Sequence, residues 1–277
     1  MARREGVMSS KTSSALLIGC GNMGSAILYG ALKSSPATRF TVYDPGNPEL
    51  QDASVRVVSD PAELAGLTPD IAIVAVKPHH FETLPQEVLS AIANAVTVSV
   101  MAGVNTATMA AQIGSSRVVR VMPNIAAMIG QSMSVGFADP AAIDAASRAA
   151  VEDLFAGIGQ FHWLGEEADI DAATAIAGSG PGFVFAFAEQ MQNAACALGF
   201  KPEDASRLVT QTMLGAAMMM TAQDRTPSDL KRMVASPGGT TQEGLGVLEA
   251  DDALQHLLAE CTSAALRRAR ELSVSPQ

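Results

Sequence analysis

Residues 14–24, Ser-Ala-Leu-Leu-Ile-Gly-Cys-Gly-Asn-Met-Gly, constrain the fold more than any other part of the chain. Residues 15–18 are a short apolar run, the length of a buried parallel strand. Gly19, Gly21 and Gly24 then space a G-x-G-x-x-G turn through Cys20, Asn22 and Met23. Apolar residues over 26–32 predict a helix directly after it. Strand, glycine turn and helix in that order open a dinucleotide-binding unit. Gly19 permits the tight turn, Gly21 lets the backbone approach a pyrophosphate, and Gly24 lets the helix pack against the strand. The helix start offers free N–H groups and a positive dipole end to phosphate. Asp44 closes a second apolar run about 20 residues on, where such units carry a ribose-binding carboxylate.

The alternation continues. Runs at 40–43, 55–58, 71–76, 96–100, 117–121, 133–137 and 160–164 read as strands. Helices are expected at 61–65, 81–93, 106–113 and 140–155, the first of them capped by Asp60 with Pro61 at its first position. This predicts a doubly wound parallel α/β sheet up to about residue 164. Ligands of such sheets bind beyond the carboxyl ends of the strands. The strand-end loops are therefore the candidate cofactor site: Gly19, Gly21, Asn22, Met23, Gly24, Asp44, Ala75, Val76, Lys77, Pro78, Ala102, Gly103 and Asn124.

After residue 169 strand signals stop. Helices are expected at 171–177, 182–198, 202–222, 227–235, 241–249 and 251–270. Three domains of the sequence follow: a disordered tail over 1–13 with Met8 as a candidate start, a dinucleotide-binding domain over 14–167 and an all-helical domain over 168–277. Residues 183–187 and 213–220 are apolar nearly all round, and a helix of that kind needs cover on every side. About 100 residues of helix cannot supply it alone, so two chains are expected to intertwine here.

The net charge of −10 argues against nucleic acid or an anionic membrane as partner. No run is read as a membrane span or a secretory leader, and the expected location is cytoplasmic. Cys20, Cys196 and Cys261 are far apart, without a C-x-x-C pair, so no disulfide framework or metal site is expected. His79 and His80 follow Lys77-Pro78 near the cofactor and are read as structural or surface residues, and His162 and His256 lack an evident acidic partner; none is read as catalytic.

Two glycine clusters interrupt the helical half: Gly178-Ser179-Gly180-Pro181 and Ser236-Pro237-Gly238-Gly239-Thr240-Thr241. Backbone N–H groups and hydroxyls at a helix start suit a carboxylate or phosphate. Helix-connecting turns with Ser or Thr caps use the same residues, and the pattern alone leaves both readings open.

With these motifs the chain resembles the pyrroline-5-carboxylate reductases. The matching pieces are the glycine turn, Ala75-Val-Lys-Pro78, Arg120-Val-Met-Pro-Asn124, Gly178-Ser-Gly-Pro181, Leu230-Lys231, the Ser236–Thr241 stretch and Leu248-Glu249, in the family's order. The resemblance implies a Rossmann domain followed by a helical dimerisation domain. It implies hydride transfer from NADPH or NADH to the C=N of 1-pyrroline-5-carboxylate, giving L-proline in the last step of its biosynthesis. It makes Thr241 the residue nearest the ring nitrogen. Ser179, Ser236, Gly238, Gly239 and Thr240 would bind substrate, with Asp224 beside the amine. A homodimer is implied, with a ring of dimers as the higher assembly.

Two stretches depart from the family: Ile125-Ala126 stand where Thr-Pro is usual, and Gly182-Phe183 where Ala and an aromatic are usual. Asp44, with no Arg or Lys before Asp52, leans the cofactor towards NADH. Two other readings compete. A β-hydroxyacid dehydrogenase would carry a Lys and an Asn after its Gly-Ser-Gly turn, and residues 181–188 hold neither. A non-catalytic nicotinamide-binding regulator would have no use for a second anion site at 236–241.

Overall fold

The computed structural model describes residues 13–222 and 224–274. The tail expected over 1–13 lies outside them save for Ser13. The chain divides into two compact units, one up to Gly178 together with Leu266 onward, the other Ser179–Ala265.

The first unit is built on eight strands. β1 is Ser14–Ile18, followed by α1 (Asn22–Ser34), β2 (Arg39–Tyr43), β3 (Arg56–Val58) and a 3-10 turn at Pro61–Leu64. Asp60 caps that turn, accepting from the Ala62 N–H at 2.9 Å. Next come β4 (Ile71–Val74), α2 (Pro78–Phe81), α3 (Gln86–Ile92), β5 (Val96–Ser99), α4 (Thr106–Ile113), β6 (Val118–Met122), a 3-10 turn at Ile125–Ile129, β7 (Ser132–Ala138), α5 (Ala145–Ala156), β8 (Gly159–Trp163) and α6 (Asp169–Ala173). The helix expected over 81–93 begins only at Gln86: α2 ends at Phe81, and Pro85, with no N–H to donate, is the cap of α3.

The strand order is β3-β2-β1-β4-β5-β6-β7-β8. All neighbours run parallel except β6 and β7. The wholly parallel sheet expected from the alternation is corrected at that point. The link from β6 to β7 holds only the 3-10 turn, and a parallel return needs a crossover of a dozen or more residues. Val119 therefore lies opposite Ala138 and Met122 opposite Val135, antiparallel. α5 provides a true crossover, and β8 again lies parallel to β7.

β1 pairs with both β2 and β4, so the strand order reverses direction there, and a crevice opens at the ends of these strands. Two apolar layers fix their height. Leu17, Ile27, Ile73, Val98 and Phe155 pack on one face of the sheet, Leu16, Ile18, Val74, Phe81 and Met109 on the other. Strands covered on both faces need no polar alternation, which is why they read as continuous apolar runs.

The second unit holds α7 (Gly180–Ala197), α8 (Pro202–Ala222), α9 (Pro227–Val234), α10 (Thr240–Leu248) and most of α11 (Ala253–Val274). α7 has no buried residue, and only Ala205 and Val209 are buried on α8. Val184, Phe185, Phe187, Leu208, Leu214 and Met218 are exposed in the single chain. The helical span Asp169–Ala197 is long and apolar enough, by length and composition, to cross a membrane, with 11% of its most apolar window buried. No such run was expected from the sequence, and its exposure calls for a covering surface.

Candidate functional site

The glycine turn has the geometry its spacing implies. Gly19 has a φ of +88°, a conformation that L side chains rarely adopt. A Cβ on Gly24 would collide with the Gly19 carbonyl oxygen, whereas one on Gly21 would meet nothing within 4 Å. Gly24 thus brings α1 down onto the turn, and Gly21 leaves an open approach. Gly21 precedes the first turn of α1 in an extended conformation and brings no side-chain bond to it. The N–H groups of Asn22, Met23 and Gly24, which open α1, are those a helix leaves without intrahelical partners. These residues fit the pyrophosphate of a dinucleotide.

A crevice of about 620 Å³ adjoins the turn. Gly19, Gly21, Asp44, Ala75, Val76 and Lys77 line it, six of the residues proposed from sequence. Tyr43, Pro45, Gly46, His80, Thr83, Leu84 and Pro85 line it as well. Pro45 and Gly46 belong to the strand-end loop 44–47 and His80 follows the loop 75–78, both expected at the site; Tyr43, Thr83, Leu84 and Pro85 carried no sequence signal for it. Pro78 opens α2 beneath Lys77.

Asp44 does two jobs at the mouth of this crevice. Its Oδ2 accepts from the Cys20 N–H at 2.7 Å and its Oδ1 from the Gly46 N–H at 2.8 Å. It therefore ties the glycine turn to the end of β2 and shapes its own turn. Each carboxylate oxygen keeps acceptor capacity beyond one bond. Burial, then the Asp44 charge, push the Cys20 thiol above its ordinary value, and the same two causes raise Tyr43.

The other proposed cofactor residues do not line the crevice. Ala102 is exposed, and Gly103 is buried against the carbonyl of Leu272. The Asn124 amide is turned inward. Its Nδ2 donates to the Ala177 carbonyl at 2.9 Å and its Oδ1 caps the following 3-10 turn through the Ala126 N–H at 3.0 Å. Asn124 thus ties the end of β6 to the π-helical turn Thr174–Gly178, directly before Ser179.

Ser179 is half-buried at the start of α7, without a capping bond from its side chain. Asp224 is exposed in the loop before α9. The 236–241 turn uses two of its N–H groups internally. The Gly238 N–H donates to Gln242 Oε1 at 2.7 Å and the Gly239 N–H to the Ser236 carbonyl at 2.9 Å. In this structure both donors are taken up inside the turn. Gly238, at a φ of +68°, makes the turn possible, and Gly239 caps α10 with no side-chain bond. The donors that open α10 are the N–H groups of Thr240 and Thr241, with their hydroxyls. Lys231 on α9 pairs with Glu249 just past α10 and closes the segment at its base.

Sequence reasoning also gave no role to Arg120, Glu167 and Asp171. Arg120 is 7% exposed within β6 and lies 3.5 Å from Glu167 and 3.2 Å from Asp171. The signal was present: a charge inside the apolar strand Val118–Met122 must be paired if buried.

Residues 167–272 match the family model described as pyrroline-5-carboxylate reductase dimerisation, and residues 15–103 match that of NADP oxidoreductase, coenzyme F420-dependent. The pyrroline-5-carboxylate reductase of Pseudomonas aeruginosa is 35% identical over 264 residues, covering 92% of this chain and 95% of that protein. Among solved structures, a pyrroline-5-carboxylate reductase from Coxiella burnetii superposes with a TM-score of 0.87 at 30% identity, covering 95% of this chain and 99% of the other. The Plasmodium falciparum pyrroline carboxylate reductase with NADP bound does so with a TM-score of 0.79 at 27% identity, covering 94% and 98%. The open crevice at the strand reversal, the uncapped start of α10 and similarity along nearly the whole length lead to one conclusion: the chain belongs to the pyrroline-5-carboxylate reductase family.

Proposed function

We propose that this chain reduces 1-pyrroline-5-carboxylate to L-proline with a reduced nicotinamide cofactor. The observation that carries this reading is the pairing, in one chain, of a dinucleotide crevice with a second uncapped helix start at Thr240 and Thr241. Bound at the crevice, the cofactor supplies a hydride. The protein's own part is to hold the two reactants and complement their charges. Gly21, Asn22, Met23 and Gly24 would hold the pyrophosphate. Asp44 would meet the adenosine ribose, while Ala75, Val76, Lys77, Pro78, Gly103 and Asn124 would hold the nicotinamide half. Thr240 and Thr241 N–H groups, with Ser179 and Ser236 hydroxyls, would bind the carboxylate, and the Thr241 hydroxyl would orient the ring nitrogen as the proton reaches it.

Asp44 supports NADH over NADPH. A carboxylate at the end of β2 can accept from ribose hydroxyls and repels a 2′-phosphate. A homodimer through α7 and α8 accounts for their exposed apolar faces without invoking lipid, and a ring of such dimers is the higher assembly to look for. Three free cysteines suit a reducing cytoplasm.

Purified protein should oxidise NADH when given pyrroline-5-carboxylate and form proline in equal amount. Oxidation of NADH only with a keto-acid substrate would favour a dehydrogenase, and cofactor binding without turnover would favour a regulator.

A further inference from the structure

The segment 100–105 joins β5 to α4 at the carboxyl end of the sheet, between the ends of β4 and β6. In a doubly wound sheet the reactive half of a dinucleotide lies on this side. Two contacts from far along the chain hold it. Gly103 has a φ of +76°, and a Cβ there would stand 2.5 Å from the carbonyl oxygen of Leu272 in the last turns of α11. Thr106, which opens α4, gives its N–H at 2.8 Å and its hydroxyl at 2.6 Å to the two carboxylate oxygens of Glu167. Asn105 caps the same helix through the Thr108 N–H, so Glu167 satisfies a donor that the local cap leaves over.

A chain of bonds runs from the second contact to the neighbour of the first. Glu167 is held by Arg120, whose guanidinium reaches on to Asp171. Asp171 Oδ1 in turn accepts from the Ser273 hydroxyl at 3.0 Å, next to Leu272. One buried cation faces two carboxylates, and the hydroxyls of Thr106 and Ser273 supply the remaining donors. The Val100 N–H still bonds the Val74 carbonyl of β4, and Met101 and Val104 are buried; beyond Val100 the segment is held by this packing together with these anchors.

We infer that Arg120, Glu167, Thr106, Asp171 and Ser273 form a positioning device for the nicotinamide-side segment 100–105, with the end of α11 as its seat. This rests on the reductase reading for the identity of the cofactor. Misplacing a positioning group by about 1 Å can cost about 100-fold in rate, so such a device acts on binding and turnover.

The test uses the full chain and reads nicotinamide binding separately from turnover. Thr106→Val is isosteric and leaves the Glu167 Oε2 without its hydroxyl donor. It should weaken binding of reduced nicotinamide, followed by cofactor fluorescence, by about five- to twenty-fold. The KM for cofactor should rise in step, and that for pyrroline-5-carboxylate should stay within about twofold. Thr106→Ser should restore parental binding. Ser273→Ala, a milder change, should move cofactor binding in the same direction by about two- to fivefold. Parental cofactor binding in Thr106→Val and Ser273→Ala, with or without a lower melting temperature, would overturn the proposal. A parent that binds cofactor but makes no proline would instead count against the reductase reading, and the binding constants of the variants would still decide the positioning.

Discussion

Asp44 shows how one residue can serve fold and ligand together. As the end of β2 it accepts from Cys20 in the glycine turn and from Gly46 in its own turn. The sequence reading weighed the ribose role and missed the bond to the glycine turn, because nothing in spacing says that Cys20 and Asp44 meet. Asp44→Asn keeps one acceptor for the turn and removes the charge. It should raise the NADPH-to-NADH ratio of kcat/KM by about tenfold, the worth of about 1.4 kcal/mol of removed repulsion. An unchanged ratio in steady-state assays with both cofactors would remove Asp44 from cofactor choice. Gly238 and Gly239 carry both readings the motif left open: their N–H groups bond within the turn, to Gln242 and Ser236, directly before the α10 start at Thr240.

Elements were legible where a local signal was complete. Pro202 and Pro227 mark the starts of α8 and α9, and Asp60 caps as its side chain predicts. The β6–β7 reversal was less legible, since a strand's direction depends on the length of its connection rather than on its own residues. The paired charges around Arg120 were not legible either, because Glu167, Asp171 and Ser273 are remote in sequence from β6. α5 offers a test at this scale. Asp144 caps it by accepting from the Ser147 N–H at 2.7 Å, and that bond holds its carboxyl below the ordinary value of 3.8. A depressed folded pKa means stability present above the unfolded pKa and lost as pH falls through the folded one. Asp144→Asn keeps a capping oxygen and cannot titrate. Its melting temperature should therefore fall less steeply than the parent's between about pH 5 and pH 2.5 in thermal unfolding scans.

At the scale of the whole molecule, a two-sided, well-filled sheet contrasts with helices that bury almost nothing of their own. α7 exposes Val184, Phe185 and Phe187, and α8 exposes Leu214 and Met218. Their apolar character all round was plain in the sequence; what covers them was not, because a single chain carries no record of its partner surface. A homodimer should appear in sedimentation as twice the chain mass. Phe185→Glu, counted once per chain, should weaken association by about 3–6 kcal/mol, or about 10²- to 10⁴-fold. A monomeric parent at micromolar concentration would contradict the dimer.

The central claim is that a hydride passes from nicotinamide to the ring of pyrroline-5-carboxylate on this protein. The most direct measurement supplies cofactor deuterated at the transferring position and examines the product by mass spectrometry and NMR. The expected result is proline with one deuterium on the ring carbon that was double-bonded to nitrogen. Unlabelled proline, or consumption of cofactor without proline, would contradict it.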